Sequence, residues 1–475
     1  TSPTDSMSGE GLLSNANSAL VPLNGIYRSM YTAFSTSGNT HQCFGISAYN
    51  LMADLMGEDM IIAAMGSGWF WYDALYQVKD MYSSTAWRPY DLWNAYYTWV
   101  SNANYILASE ETMEGAQADV NYVIGQAYAI RAYSYFMLAQ SFARTYKGHE
   151  SDPCCPIYTE PTVAGTQGNP RSSVGDVYKQ ITSDINRAVE LLNGTTRKHI
   201  SHIDYATALG LQARIALVME DWATAKTAAH TAITASGCRV LAPSQFAGVN
   251  STQAANVMWG AEIIADQSGM YAGFFTHMDA CDERGDGKYG ATARKQINKE
   301  LYDKMDPNDE RRNWWDTENE NNGKGGYQQE KFKFSDRQTW MGDYIWMRVE
   351  EMYLIKAEAE AMSGNLAAGK STLENFVQAY RDPSFVSKAT SPQQFQDEVW
   401  LQRRMELWGE GHSLFDLLRL KKPVIRKNTN YHASVQFNLE PESQIMIYRI
   451  PQCEMETNTG ISDADNNPAA PQPAL

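Results

Sequence analysis

Between Ser173 and Leu192 the apolar side chains Val174, Tyr178, Ile181, Ile185, Ala188 and Leu192 recur at steps of three and four, and Ser173 stands three residues before Asp176. That spacing predicts an amphipathic helix with a capped N-terminus. Val120 to Tyr146 carries two interleaved stripes, Val123-Ala127-Ile130-Ser134-Met137 and Ile124-Tyr128-Tyr135-Leu138-Phe142. A helix apolar on most of its sides belongs between other elements, so this one is expected at the centre of the fold.

Asp221-Trp222-Ala223-Thr224-Ala225-Lys226, followed by Ala229 and Ala232, places small residues at the offsets of the second helix of a tetratricopeptide repeat, where helices pack closely. Gly364-Asn365-Leu366 with Gly369, Leu373 and Phe376 repeats those offsets with bulkier residues, after a helix expected over Ile345 to Met362. The pattern predicts a mostly α fold of several helix pairs, over approximately 8–65, 90–147, 172–235 and 344–420. Three loop-rich blocks interrupt it, approximately 66–89, 148–171 and 236–343, and an irregular segment, 421–475, closes it. In the longest block, clusters such as Asp282-Glu283-Arg284-Gly285-Asp286-Gly287 separate short apolar runs, of which Val257 to Ile264 and Lys331 to Phe334 read as strands. Long ordered loops beside a helical scaffold are where binding groups tend to sit.

At 475 residues with 43% hydrophobic and 12% aromatic side chains, the chain can bury a large core, and no apolar run approaches the ~20 residues that span a bilayer. Fifty-five acidic residues against 39 basic ones leave a net charge of -16, which argues against a nucleic-acid partner and favours a neutral ligand over a heavily anionic one. Six cysteines show no C-x-x-C spacing, and the motifs of zinc proteases, P-loop nucleotide sites and serine hydrolases are missing.

The densest charged stretch is Arg403 to Arg419, in which Arg403, Arg404, Glu406, Glu410, His412, Asp416 and Arg419 stand among core-like residues. Glu406 and Glu410, one helical turn apart, could be the paired carboxylates of a glycoside hydrolase. The stronger reading is a buried ion network, with Arg403 and Glu406 at i,i+3 and the remaining charges serving neighbouring helices. Arg131, between Tyr128 and Tyr135, reads as a further buried arginine with a carboxylate partner, so no catalytic residue is assigned. Asp279, Asp282, Glu283 and Asp286 could offer oxygens to a structural calcium, but without EF-hand spacing a solvated charged loop is preferred and no cofactor is expected. Asp303, Asp306, Asp309 and Glu310 read the same way.

Aromatic side chains gather in the loop-rich blocks: Trp69, Trp71 and Tyr72 after two glycines, and Tyr271, Phe274 and Tyr289 in the long interruption. A ring on a glycine-punctuated loop is a platform for the apolar face of a sugar, so these six are the candidate ligand-binding residues.

The chain resembles the SusD/RagB family of outer-membrane nutrient-binding lipoproteins of Bacteroidetes over nearly its whole length. Arg131-Ala132-Tyr133-Ser134-Tyr135-Phe136 with Leu138 is similar to the family's R-A-x-x-Y-F-x-L helix, and Ile345 to Ala361 resembles its R-x-A-E-x-x-L-x-x-A-E-A helix. Arg403 to Arg419 is similar to E-R-R-x-E-L-x-x-E-G-H-R-x-F-D-L-x-R, with Gln402 in place of the leading Glu and Ser413 in place of the Arg after His412. Asp306-Pro307 with Arg311-Arg312, and Ile450-Pro451 with Glu454 and Asn458, resemble two further elements. The resemblance implies one domain spanning 1–475 with four divergent tetratricopeptide units beside a loop-rich region. It also implies a non-enzymatic protein that faces the cell exterior from an N-terminal lipid anchor, captures glycan, and hands it to a SusC-like TonB-dependent transporter. Part of the family implies peptide cargo instead.

Overall fold

The computed structural model describes residues 9–34, 40–77, 86–264, 271–281, 289–318, 326–470 and 473. Its longer helices are α1 (Ala16–Ser29), α2 (Ile46–Leu55), α3 (Trp87–Leu107), α4 (Gln117–Phe142), α5 (Val174–Leu192), α6 (Tyr205–Met219), α7 (Trp222–Ser236), α8 (Val349–Met362), α9 (Leu366–Tyr380) and α10 (Pro392–Glu406). Each of α3 to α9 packs on its chain neighbour, and α7 packs directly on α8 although more than a hundred residues separate them in sequence. The long interruption therefore leaves the helical stack and returns to it without breaking it.

Local chemistry accounts for the helix ends. Ser173 Oγ accepts from the Asp176 N–H at 3.1 Å, and Asp204, Asp221 and Asn365 cap α6, α7 and α9 through their side chains. Helix α4 is buried along nearly every face, as its two stripes require. Small residues set the spacing of the pairs: Ala225, Ala228, Ala229 and Ala232 are buried on α7, and Gly369 brings α9 against α8. A Cβ at Gly369 would stand 2.7 Å from the Ala357 carbonyl oxygen and 2.9 Å from Ala361 Cβ. Gly369→Ala is therefore expected to cost about 1–3 kcal/mol by overpacking, read as a lower unfolding midpoint in urea.

The strands are short: β1 (Met60–Ile62), β2 (Val257–Ala261), β3 (Lys295–Ile297), β4 (Trp315–Asp316), β5 (Gln328–Gln329), β6 (Tyr344–Arg348), β7 (Val424–Ile425) and β8 (Asn438–Leu439). An antiparallel sheet in the order β1-β3-β5-β4 pairs Ile62 with Lys295 and Met60 with Ile297, which fastens the segment after α2 to the long interruption. β2 pairs with β6 at the base of that interruption. Two sequence expectations need correction here. Tyr344 to Arg348 extends to pair with β2, so α8 begins only at Val349. Lys331 to Phe334 forms no strand: Lys331 is buried together with Phe332 and Phe334, so the polar and apolar alternation does not mark two faces of an extended segment.

Candidate functional site: a ring platform beside a buried ion network

The β1/β3 pairing decides which loop aromatics meet. Trp69 follows β1 and Tyr289 precedes β3, so the ladder that joins Ile62 to Lys295, continued by the Ala63 N–H to Arg294 carbonyl bond at 2.9 Å, carries both toward one spot. Gly66 and Gly68 take positive φ, and so does Phe70 at 63°, a conformation rare for a bulky residue. The Phe70 N–H is held by Gln42 Oε1 at 2.6 Å. This turn leaves Trp69 half-buried while Phe70 and Trp71 on either side enter the core.

The rings converge on His41. Tyr271, 40% exposed, stacks on the His41 imidazole with centroids 5.5 Å apart and planes 15° apart. Trp69 and Tyr289 lie 5.3 and 5.6 Å from the same ring, and Trp69 meets Tyr289 edge to face at 6.2 Å. Exposed Phe34 closes one side at 6.5 Å from His41. His41 Nδ1 is hydrogen-bonded to the Tyr289 hydroxyl.

Behind this surface the rings and polar groups are closely packed. The buried His277 ring stacks on Tyr289 at 5.0 Å and meets the Phe70 edge at 4.8 Å, while its Nε2 donates to the His41 carbonyl at 2.7 Å. Lys295 lies fully buried beneath, donating to the His277 and Ala293 carbonyls at 2.9 Å each. Burial lowers the Lys295 ammonium to about 7, and burial with the nearby Lys295 charge pushes His277 well below its usual range. Burial also lowers His41 and raises the Tyr289 phenol, so His41 and His277 present neutral imidazoles to the rings at neutral pH.

Of the six candidate aromatics, Trp69, Tyr271 and Tyr289 form this platform, and half-buried Tyr72 stands beside Gly68 at its edge. Trp71 and Phe274 do not join it. Trp71 is 5% exposed and set edge-on to His432, and Phe274 is 7% exposed among Phe275, Phe332 and Tyr344.

The charged run 403–419 is interior. Glu406 accepts from Arg381 Nη2 at 3.0 Å, Arg348 Nη1 at 3.1 Å and Arg311 Nη1 at 3.5 Å, while Glu410 receives Arg348 Nε at 2.6 Å and Lys331 Nζ at 2.9 Å. With Asp309 and Glu350, four carboxylates meet four cations in a nearly dry cluster. Burial raises both glutamates, but the guanidiniums of Arg381 and Arg348 outweigh it at Glu406 and hold it far below the carboxylate range. Arg348 and Lys331 bring Glu410 down to about 2. A carboxylate so held can neither donate a proton nor reach a substrate, which removes this pair as glycosidase groups.

Arg403 does not pair with Glu406 across its own turn. Its guanidinium donates to Asp416 at 2.8 and 3.2 Å, because the positive φ of Gly409 and Gly411 folds the short helix Ser413–Arg419 back beside α10. Arg404 binds Asp59, Arg419 binds Glu358 and Asp416, half-buried His412 faces Glu351 at 3.7 Å, and Arg131 binds Asp184 at 2.7 and 2.8 Å.

Two family models match this chain: one described as starch-binding, associating with the outer membrane, over residues 49–217, and the SusD family over residues 287–466. The chain belongs to the SusD family. A SusD-like carbohydrate binding protein from Bacteroides vulgatus is 26% identical and superposes with a TM-score of 0.83, over 95% of this chain and 98% of its own. A SusD superfamily protein from Bacteroides thetaiotaomicron, 22% identical, shares the fold with a TM-score of 0.78 over 96% of this chain and 100% of its own. Surface glycan-binding protein A from Bacteroides fluxus, 16% identical, does so with a TM-score of 0.69 over 96% and 99%. No curated protein matches the chain. Among the described residues no helix is long and apolar enough to cross a membrane.

The two departures from the SusD charged motif are met locally. Gln402 Oε1 accepts from Arg311 Nη2 at 2.7 Å, so a neutral amide fills the place of the missing carboxylate. Ser413 packs against Gly57, where a Cβ would stand 2.0 Å from the Ser413 hydroxyl, so the bare glycine is what lets the two segments approach.

Asp279, named as a calcium candidate, spends its oxygens on Arg337, on the Phe334 N–H at 2.9 Å and on the Cys281 N–H at 3.0 Å. Its companions Asp282, Glu283 and Asp286 lie outside the described residues. Asp309 is bound by Arg311, Asp303 pairs with Lys299, and Asp306 caps its own turn through Asn308.

His41, His277 and Phe34 escaped the sequence reading. His41 sits in a polar stretch without periodicity, and the only signal was a cluster of Gly, Asn and Thr before it, the composition of a loop beside a site.

Proposed function

We propose that this protein captures a neutral oligosaccharide at the bacterial surface on the Trp69, Tyr271, Tyr289 and His41 platform and releases it unaltered to a TonB-dependent transporter, held at the outer membrane by a lipid. The observation that carries the reading is the convergence of partly exposed rings from two loop blocks distant in sequence onto one imidazole. Rings at varied tilts offer CH–π surfaces to successive sugar faces, while the His41 and Tyr289 polar atoms meet hydroxyls. The rings are backed by packed core, so little ordering is lost on binding, and their partial exposure keeps the complex weak enough to release. The outer-membrane description of the matching family and the carbohydrate-binding and glycan-binding relatives support the ligand class and the location.

The test is an affinity-gel panel of plant, fungal and host glycans, followed by calorimetry on the best ligand. Trp69→Ala and Tyr289→Ala are each expected to weaken binding about tenfold, the ~1.5 kcal/mol of one stacking ring. Mobility shifts retained in full by both variants would sink the platform, and no shift with any glycan would sink the ligand class.

A further inference from the structure

A groove of about 510 Å³ opens between α3, the segment 158–168 and the short helix Gln452–Thr457, and it shares no residue with the platform. Helix α3 supplies Tyr90, Trp93, Asn94 and Tyr97 at helical spacing, and the facing wall carries Tyr158, Gln167 and Glu454.

The rings form an angled trough. Trp93 lies 4.7 Å from Tyr97 with planes 49° apart, and Tyr97 meets Tyr158 at 6.0 Å and 74°. Hydrogen bonds that do not use the groove fix its walls. Tyr97 donates to the Pro156 carbonyl at 2.6 Å, the Tyr158 hydroxyl accepts from the Asn169 N–H at 3.0 Å, and Asn458 donates to the Asn169 carbonyl and to Glu454 Oε1 at 2.8 Å each. Gly168 permits this closure, since a Cβ there would stand 2.2 Å from Asn458 Oδ1.

Other polar groups are left for a ligand. Trp93 is 4% exposed, yet its indole N–H has no hydrogen-bond partner among the described residues, nor has the hydroxyl of Tyr90, whose side chain is 39% exposed. Glu454 spends one oxygen on Asn458 and has a second to accept from hydroxyls. It is the one carboxylate in the lining, and no basic side chain accompanies it.

We propose that this groove is a second saccharide site, for a short neutral segment of the same chain that the platform binds. The ligand class rests on the glycan-binding reading above. The volume falls in the roughly 300–1,000 Å³ range of small-ligand clefts. Rings, amides, hydroxyls and a single carboxylate suit a ring of CH and OH groups. An anionic chain would meet Glu454 unpaired, and a peptide would find no strand edge along these walls. Two separate sites make the protein bivalent toward a polysaccharide that reaches both, and monovalent toward one that does not.

The experiment uses the whole protein and the polysaccharide that shifts it in the affinity gel, with a trisaccharide of the same linkage. Tyr90→Ala with Glu454→Gln alters the groove without touching its buried packing, and Trp93→Phe removes the indole N–H while keeping an aromatic ring, at the cost of some packing against Tyr97 and Phe142. Thermal midpoints confirm that the variants fold. Tyr90→Ala/Glu454→Gln is expected to lower polysaccharide affinity about tenfold, the loss of one avidity partner. Trp69→Ala/Tyr289→Ala is expected to keep a residual shift that the groove changes then abolish. Wild-type polysaccharide affinity in the groove variants, with the platform variant fully inactive, would overturn the second site while leaving glycan capture intact. No binding of any glycan by the wild type would overturn both.

Discussion

Glu406→Ala is expected to lose about 3–5 kcal/mol of folding stability, the cost of breaking a buried pair by removing one partner. Arg381, Arg348 and Arg311 all donate to this carboxylate, and each guanidinium is essentially without solvent. Removing it leaves three buried cations sharing Glu350, Glu410 and Asp309. Glu406→Gln keeps the shape and two acceptor lone pairs but no charge, and is expected to recover less than half of the loss. Exposed Arg187–Glu190 supplies the contrast, since pairs of that kind contribute little. Urea denaturation of the four proteins checks the set. A Glu406→Ala midpoint no lower than that of Glu190→Ala would show that the cluster is not what holds α10 to α8 and α9.

Acid should dismantle the same cluster in a defined window. The folded Glu410 carboxyl titrates at about 2 against an ordinary 4.5. Across that interval the unfolded chain binds the proton and the folded chain does not, so the stability Glu410 contributes is complete above pH 4.5 and lost as pH falls toward 2. At about 1.4 kcal/mol per unit the contribution is roughly 3 kcal/mol. Glu58 works against it elsewhere: burial raises its carboxyl to about 7, so its own contribution grows as pH falls from 7 to 4.5. The readout is therefore the difference between wild type and Glu410→Gln, which is expected to be near 3 kcal/mol at pH 7 and to shrink toward zero between pH 4.5 and 2. A difference independent of pH would show that packing, not charge, carries the role of Glu410.

How far the chain could be read in advance followed the range of the interactions. Helix α5 and its Ser173 cap are local, set by spacings of three and four residues, and α7 shows its close packing in its alanines. The charged run was visible as a run of buried ions, but its partners were not. Arg348 and Arg311 meet Glu406 from 58 and 95 residues away, and the Arg403–Glu406 pairing suggested by helical spacing lost to a glycine-made reversal that brought Asp416 closer. Trp69 and Trp71 have the same chemistry and nearly the same neighbours. Only the left-handed turn at Phe70 separates the half-buried ring from the core one. Tyr90, Trp93 and Tyr97 read as scaffold because they share the spacing of core residues, and their groove exists only where Tyr158 and Glu454 come to face them.

The antiparallel pair β2/β6 holds the two arms of the long interruption side by side, while α7 and α8 touch as if nothing stood between them. For protein engineering this is a ready-made cassette boundary. Tyr271 and Tyr289 lie inside the cassette, whereas Trp69 and His41 lie outside it. Exchanging the block between β2 and β6 with that of a relative would therefore replace half of the platform and leave the other half, producing hybrid recognition surfaces on an unchanged helical frame.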